Sequence, residues 1–301
     1  MKHLLITGGT VFVSRFVAQY FVKKGYEVTV LNRNSRPQVE GVHLICADRN
    51  HLQDELKCQN FDAVIDVCAY HSLDIEHLLQ ALPKVQDYVF ISSSAVYPET
   101  NPQPFSEDQK IGPNSIWKDY GTNKADAEKY LLTKVPQAYI LRPPYLYGPM
   151  QNLYREPFVF ECALKNRPFY LPKNGNMKLQ FFHVEDLCRM IELLITKHPK
   201  HHIYNVGNES TVDVKTFVEL CYQVAQAKLQ MIPVTQHENQ RDYFSFHDYE
   251  YELDVTRQKE LLCDTKDLVI GLKESFDWYC AHPQDHVRKD YIEFIDKHFT
   301  S

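Results

Sequence analysis

Short apolar runs alternate with longer amphipathic stretches through the first half of the chain. The runs have the length and composition of buried strands, and the stretches carry apolar residues at helical spacing, as at Phe12, Phe16 and Val17. Strands that alternate with helices through short loops build a parallel sheet covered by helices on both faces. The pattern therefore predicts an α/β fold with a doubly wound parallel sheet. Strands are predicted at residues 2–6, 27–31, 42–46, 62–67, 88–91 and 139–141, and helices at 12–24, 50–59, 72–82 and 120–134.

The regular alternation ends near residue 150. Beyond this point Pro, Asn and Tyr become frequent, and the predicted elements are shorter. A run at 203–206 has the character of one more strand of the main sheet. We therefore predict a first domain over residues 1–150 with a return strand near 203–206, and a smaller lobe over residues 151–301 that is interleaved with it.

Composition and charge narrow the class of protein. Apolar residues make up 44% and charged residues 24%, as in a globular chain rather than a disordered one. The formal net charge of −6 makes nucleic acid and anionic membranes poor partners. The sequence shows no signal peptide and no apolar stretch of the roughly 20 residues that span a bilayer. The eight cysteines are scattered and no histidine pattern matches a metal site, so we expect a soluble cytoplasmic protein with free thiols and no metal.

A glycine turn joins the first predicted strand to the first predicted helix. A strand, a Gly-Gly turn and a helix are typical of the opening of a dinucleotide-binding unit, in which the helix N-terminus faces a pyrophosphate. The usual pattern of three spaced glycines falls here on Gly8, Val11 and Ser14, and Gly9 stands beside the first. With only one spaced glycine present, an ordinary strand–turn–helix stays open as the alternative.

The end of the second predicted strand bears on which dinucleotide is bound. An acidic residue at this point would hold the adenosine ribose and favour NAD, but the chain has Asn32 and Arg33, with Arg36 close behind. A guanidinium group accommodates a 2′-phosphate, so these residues point to NADP. Asp48, after the third strand, is placed to meet the adenine. The alternatives are solvated surface arginines and an aspartate that only caps a turn.

Tyr120 and Lys124 lie four residues apart on a predicted helix and therefore share one face. An ammonium group beside a phenol stabilises the phenolate, so the tyrosine can exchange a proton with a substrate hydroxyl while a nicotinamide carries the hydride. The same spacing also arises by accident. It gains weight from Ser92, Ser93 and Ser94, because hydroxyl groups directly after a strand face the ligand crevice of a parallel sheet.

These motifs together resemble the extended short-chain dehydrogenases/reductases of the NAD(P)-dependent epimerase/dehydratase family. The resemblance implies a Rossmann domain with a small carboxyl-terminal substrate lobe. It also implies catalytic roles for Ser93, Tyr120 and Lys124, with Lys124 holding the nicotinamide ribose as well. The segments that carry the resemblance, in family order, are Thr7–Phe12, Ile91–Tyr97, Tyr120 with Lys124, Leu141–Pro143 followed by Tyr147–Pro149, and Phe182–Leu187.

The altered glycines are similar to an atypical branch that includes uncharacterised epimerase-like proteins and chloroplast stem-loop RNA-binding proteins. The resemblance to the sugar-nucleotide enzymes of the family implies that Arg241 clamps a diphosphate. Ser94, Tyr97 and Tyr145 are further candidates for substrate contacts that line the sugar pocket. Core packing of the tyrosines and a surface salt bridge of Arg241 are the alternatives. The cofactor contacts expected for NADP or NAD are Gly8, Gly9, Thr10, Val11, Phe12, Val13, Asn32, Arg33, Arg36, Asp48, Arg49, Cys68 and Lys124.

We therefore predict an NAD(P)-dependent epimerase that acts on a nucleotide-sugar by transient removal and return of a hydride. A reductase that uses NADPH on a carbonyl substrate is the first alternative. A cofactor-binding scaffold related to the stem-loop RNA-binding proteins is the second, although the net charge of −6 argues against RNA. The resemblance also implies that two chains can form a homodimer through the helix that carries Tyr120.

Overall fold

The chain, seen in a computed structural model, folds into two compact units. The structure describes residues 2–52, 54–83, 86–237 and 239–300. Unit 1 holds residues up to 144 together with 184–207 and 253–265, and unit 2 holds 145–183, 208–252 and residues from 266 onward. Unit 1 is thus built from three separate segments of chain, and the segment 184–207 contains the residues predicted as a return strand near 203–206.

The strands are β1 (His3–Thr7), β2 (Glu27–Asn32), β3 (His43–Cys46), β4 (Ala63–Asp66), β5 (Asp87–Ile91), β6 (Tyr139–Arg142), β7 (Tyr145–Tyr147), β8 (Phe169–Pro172), β9 (Lys178–Leu179), β10 (Phe181–His183), β11 (Ile203–Asn205), β12 (Val212–Asp213) and β13 (Met231–Val234). The helices are α1 (Phe12–Lys23), α2 (Ser72–Ala81), α3 (Lys118–Lys134), α4 (Glu156–Leu164), α5 (Val184–Lys197), α6 (Val214–Val224), α7 (Thr256–Lys259), α8 (Leu268–Ala281) and α9 (Tyr291–His298). Short 3-10 helices lie at Arg49–His51, Ser94–Val96 and Gln240–Asp242.

A parallel sheet of seven strands forms the centre of unit 1. Its strand order is β11-β6-β5-β4-β1-β2-β3. The order reverses between β1 and β4, so the carboxyl ends of these two strands border a crevice where ligands bind in folds of this kind. Helix α1 packs beside α5, and α2 packs beside α3. The predicted doubly wound parallel sheet is confirmed.

The central strands β4, β5 and β6 are mostly apolar because both of their faces are covered, and each of them carries one charged residue, namely Asp66, Asp87 or Arg142. Every residue of β4, β5 and β6 is buried. Strand β11 pairs with β6, so the segment after α5 returns to the edge of the sheet. The core between the sheet and α2 and α3 is formed by aliphatic and aromatic side chains, among them Leu5, Val64, Leu78, Phe90 and Leu131.

The helix predicted at 50–59 is wrong. Only Arg49–His51 forms a short 3-10 helix, and turns follow it, closed by backbone bonds from Lys57 to Asp54 and from Gln59 to Leu56. Gln53, within the predicted helix, lies outside the described residues. Leu56 is buried from this succession of turns, so the apolar spacing that suggested a helix reflects core contacts made by turns.

Unit 2 is built from three two-stranded ladders and a group of packed helices. Strands β7 and β10 pair in parallel, β8 pairs in parallel with β13, and β9 pairs antiparallel with β12. Helices α4, α6 and α8 pack against one another. Many of the aromatic residues lie here, as where the ring of Phe181 stacks on that of Phe217 with centroids 4.9 Å apart.

Candidate active site

A cleft of about 640 Å³ lies at the carboxyl ends of β1 to β4 in unit 1. This is the crevice that the strand order predicts. Most of the predicted cofactor contacts line it, namely Gly8, Thr10, Val11, Asn32, Arg33, Arg36, Asp48, Arg49 and Cys68. Gly9, Phe12, Val13 and Lys124 are not among its lining residues in the described ranges, and Phe12 is buried.

Gly8 begins the turn between β1 and α1 and admits no other residue. Its φ is +89°, and a Cβ atom would stand 2.6 Å from the Cys68 sulfur and 2.8 Å from the Ser14 hydroxyl oxygen. Ser14, at the position of a missing glycine, is buried and donates a hydrogen bond to the Val11 carbonyl at 2.9 Å. Two of the three spaced glycines are replaced, yet the turn still forms. The absence of a side chain at Gly8 leaves space for the Ser14 side chain.

The loop after β2 presents two unpaired guanidinium groups to the cleft. Asn32 braces this loop, since its amide donates to the Gly8 carbonyl at 2.6 Å and to the Gln38 side chain at 3.0 Å. Arg33 and Arg36 both line the cleft. Neither side chain has a hydrogen bond or ion pair with the part of the chain that the structure describes. Two unpaired positive charges in a concave site favour an anionic ligand.

The Arg49 guanidinium group, in contrast, is already bound to other residues of the protein. It makes a bidentate pair with Asp66, with both N–O distances 2.9 Å, and donates to the Asp74 carbonyl at 2.7 Å. Tyr88 and Thr7 also donate to Asp66, each at 2.7 Å. Burial alone would raise the pKa of Asp66, but Arg49 holds this pKa below its usual value. Arg49 therefore closes the floor of the cleft, and Arg33 and Arg36 are the cations left for a ligand.

Asp48 acts within its own loop as well as lining the cleft. Its side chain accepts the Asn50 backbone N–H at 2.9 Å and caps the short helix that follows. The turn-capping alternative is thus observed, and Asp48 lines the cleft as well.

Lys124 is buried at the border between the strand ends and α3. Its ammonium group donates to the carbonyls of Ala69, after β4, at 2.7 Å and of Ile91, at the end of β5, at 2.8 Å. Burial lowers the pKa of Lys124 to about 8. An ammonium group carries three hydrogens, so one hydrogen of Lys124 remains after these two bonds.

Tyr120 stands one helical turn from Lys124 with 42% of its surface exposed. Its neighbour Gly121 explains how α3 reaches the end of β5, because a Cβ atom there would lie 2.3 Å from the Ala95 carbonyl oxygen. This close approach brings α3 onto the segment that begins at Ser93. The Ser93 hydroxyl oxygen accepts the Ala95 N–H at 3.2 Å, and its hydrogen has no acceptor among the described residues.

Tyr97, predicted as a substrate contact, is instead part of a buried network. It has no exposed surface, and its hydroxyl group accepts from Arg142 at 2.8 Å and donates to Asn205 at 2.7 Å. Arg142 also pairs with Glu128 of α3 at 2.6 Å. The Tyr97 side chain thus joins Arg142 to Asn205 inside the core of unit 1. Ser94 is likewise buried, and its backbone N–H donates to the Pro143 carbonyl.

Two predicted substrate residues belong to unit 2. Tyr145 is buried, burial raises its pKa to about 12, and the Arg155 guanidinium group lies 4.9 Å from the centre of its ring. Arg241 donates to the backbone carbonyls of Phe244 and Ser245 and lines a second cavity of about 400 Å³. Neither arginine has a carboxylate partner among the residues described.

Sequence analysis missed several residues that line the cleft in unit 1. Ser35, Asn50, Tyr70 and His71 line it without having been predicted. The signal for Tyr70 and His71 was present in the sequence, because they lie in the loop that follows a strand of the parallel sheet.

A sequence model of the NAD dependent epimerase/dehydratase family matches residues 4–207. The chain belongs to this family. The family predicted from the motifs is confirmed, and with it the expectation of an enzyme that uses NAD or NADP.

Named relatives of this epimerase/dehydratase differ in what they do. The chain is 29% identical over 304 residues to the chloroplast stem-loop binding protein of 41 kDa b of Arabidopsis thaliana, a match covering 92% of this chain and 79% of that protein. It is 26% identical over 266 residues to UDP-glucose 4-epimerase of Corynebacterium glutamicum, covering 73% and 80% of the two chains. A solved structure of MoeE5 in complex with UDP-glucose and NAD shares the fold with a TM-score of 0.75 and 21% identity, over 94% of this chain and 100% of that one.

The cleft fits the dinucleotide that the family uses. A turn that only Gly8 can occupy, a volume of about 640 Å³ and two unpaired guanidinium groups suit a long ligand with several phosphates.

No helix within the described ranges is both long and apolar enough to cross a lipid bilayer.

Proposed function

We propose that this epimerase/dehydratase is an NAD(P)-dependent epimerase of a nucleotide-sugar. The observation that carries the proposal is the Lys124 ammonium group, which is buried where β4, β5 and α3 meet. Tyr120 stands on the same helix and Ser93 at the end of β5. Three groups able to hold or move a proton thus gather at the carboxyl edge of the sheet, beside the cleft that suits the cofactor.

The chemistry divides between the cofactor and the chain. When bound, NAD or NADP supplies a hydride acceptor and donor. Tyr120 takes the proton of a sugar hydroxyl and returns it after the ketone has turned over. Ser93 donates its unshared hydrogen to the same substrate oxygen. Lys124 directs its remaining hydrogen towards a ribose hydroxyl of the cofactor and keeps positive charge near Tyr120.

The test is an assay with purified protein and UDP-sugars. We expect interconversion of UDP-glucose and UDP-galactose, or of another pair of 4-epimers, with no net change in the absorbance of reduced nicotinamide. Stoichiometric oxidation or reduction of free cofactor, driven by the sugar, contradicts the epimerase.

A reductase that uses free NADPH is the second candidate, and the unpaired Arg33 and Arg36 favour it. An epimerase retains its cofactor through the cycle, whereas a reductase releases it after each turnover. Mass spectrometry of the denatured protein separates the two, because tightly held NAD that copurifies counts against the reductase.

Two other functions have less support from this chain. Elimination of water in a 4,6-dehydratase needs an acidic pair after the catalytic hydroxyl, and those positions hold Ser94 and Ala95, both buried. Binding of stem-loop RNA rests on the resemblance of the altered glycines to the stem-loop RNA-binding branch and on the name of one relative, and a net charge of −6 opposes it. A mobility-shift titration at low salt with no shift at micromolar protein removes the RNA alternative.

The loop after β2 makes the cofactor preference testable. We expect the double variant Arg33→Ala, Arg36→Ala to lose about 10²- to 10⁴-fold in NADP affinity, because each of the two charge-assisted bonds to the 2′-phosphate is worth roughly 1.5–3 kcal/mol. The affinity for NAD, which lacks this phosphate, should change little. Fluorescence titration of the two dinucleotides measures both constants.

Lys23→Ala, which removes an exposed charge at the end of α1, is the matched control and should affect neither dinucleotide. Equal losses of affinity for NAD and NADP in the double variant would show that the two arginines do not bind the 2′-phosphate.

A further inference from the structure

Tyr70 borders both the cofactor cleft and the buried lysine. It follows β4, lines the cleft, and has 52% of its surface exposed. Its backbone N–H donates to the Asp74 carboxylate at 2.7 Å, in the capping box that begins α2. The backbone of Tyr70 is therefore anchored to α2.

Two aromatic rings enclose the Lys124 ammonium group. The nitrogen lies 5.0 Å from the centre of the Tyr70 ring and 4.7 Å from that of Phe90, both within cation–π range. The Tyr70 ring is also 6.2 Å from the Tyr120 ring, centre to centre. Phe90 is fully buried in β5, so Tyr70 is the half-exposed member of the pair of rings.

We propose that Tyr70 is a positioning residue of the active site, whose ring covers the Lys124 ammonium group at the border of the cofactor cleft and keeps water from it. This inference rests on the proposed function, because it concerns the lysine that the proposal assigns to the cofactor. A phenyl ring suffices for this role, since the Tyr70 hydroxyl group has no hydrogen-bond partner among the described residues.

The role has a consequence for the pH at which Lys124 titrates. The charged and titratable groups around Lys124 are Asp66 of β4, Cys68 after it, Glu128 of α3 and Arg49 of the short helix, with Tyr70 and Tyr120 beside them. Burial dominates over these charges and brings the pKa of Lys124 to about 8. Lys124 is therefore charged below pH 8 and loses its proton as the pH rises through that value. We expect the affinity for NAD(P) to fall over the same range, because the charge-assisted bond to the ribose weakens.

Removal of the ring should move this transition. In Tyr70→Ala, water reaches the ammonium group, and we expect the pKa of Lys124 to rise by about one unit or more towards its ordinary value of about 10.4. Tyr70→Phe keeps the ring and should leave the pKa within about 0.3 unit of the wild-type value. The pKa is measured on the cofactor-free protein by NMR titration of lysine labelled with carbon-13 at Cε, with the Lys124 signal assigned by Lys124→Arg. The pH dependence of NAD(P) affinity, measured by fluorescence, should shift in the same direction.

Leu73→Ala is the matched control, because it removes an exposed apolar side chain (58% exposed) from the first turn of α2 and should not move the Lys124 transition. An unchanged Lys124 pKa in Tyr70→Ala overturns the proposal, as does a Tyr70→Phe shift as large as that of Tyr70→Ala. Should Tyr70→Ala fail to fold in a thermal scan, Tyr70→Ser provides the same test. The NMR measurement needs no cofactor, so failure of this inference is distinct from failure of the proposed epimerase, which the sugar assay reports.

Discussion

Tyr120→Phe is expected to lower kcat by at least about 100-fold, because general acid–base catalysis contributes roughly 10²- to 10⁴-fold. The substitution removes one oxygen from a half-exposed side chain and leaves α3 and its packing in place. Cofactor affinity should stay close to that of the wild type. Steady-state turnover of the nucleotide-sugar and fluorescence titration of the cofactor measure the two quantities separately.

Tyr130→Phe, on the same helix, is the matched control and should keep near wild-type turnover. Lys124→Ala should differ from both, since it also removes the group proposed to hold the ribose and therefore weakens cofactor binding. Turnover that survives Tyr120→Phe nearly intact would overturn the proposed mechanism. Losses of stability in Tyr120→Phe and Lys124→Ala with no selective effect on turnover would mean that the two residues have only a structural role.

Glu128→Gln is expected to lower the free energy of unfolding by about 3–5 kcal/mol, since it leaves the buried Arg142 charge without its partner. Glu128 and Arg142 are 1% and 2% exposed, and their closest N–O distance is 2.6 Å. Glu128 also accepts from the Ser92 hydroxyl group. The pair therefore joins α3 to β6 and to the end of β5. Urea denaturation monitored by circular dichroism measures the effect.

Two further variants test the reason for this loss. Replacing Glu128 and Arg142 together by methionine removes both charges and should restore much of the stability, because the desolvation cost disappears with them. Asp126→Asn breaks an exposed pair with Lys129 on the same helix and should cost less than about 1 kcal/mol. A loss below about 1 kcal/mol in Glu128→Gln would show that the buried pair does not hold this part of the fold.

Features that depend on neighbouring residues were predictable from the sequence. The 3.6-residue spacing gave α1, α2 and α3 to within two residues at each end, and the buried strands gave the parallel sheet. The Gly8 turn and the shared face of Tyr120 and Lys124 are equally local, because each depends on residues within one or two turns of chain. These local signals were sufficient to predict the family.

The sequence by itself therefore determined the fold class, the cofactor turn and the helix that carries Tyr120 and Lys124. Only the tertiary structure decided which polar side chains remain available to ligands. The Arg49 side chain is bound to Asp66, 17 positions away in the sequence. The Tyr97 hydroxyl group is hydrogen-bonded to Arg142 and Asn205, 45 and 108 positions away. The position of Tyr70 against Lys124 likewise joins β4 to α3. Periodicity reports which face of an element is buried but not which distant group it meets, so these assignments required the assembled sheet.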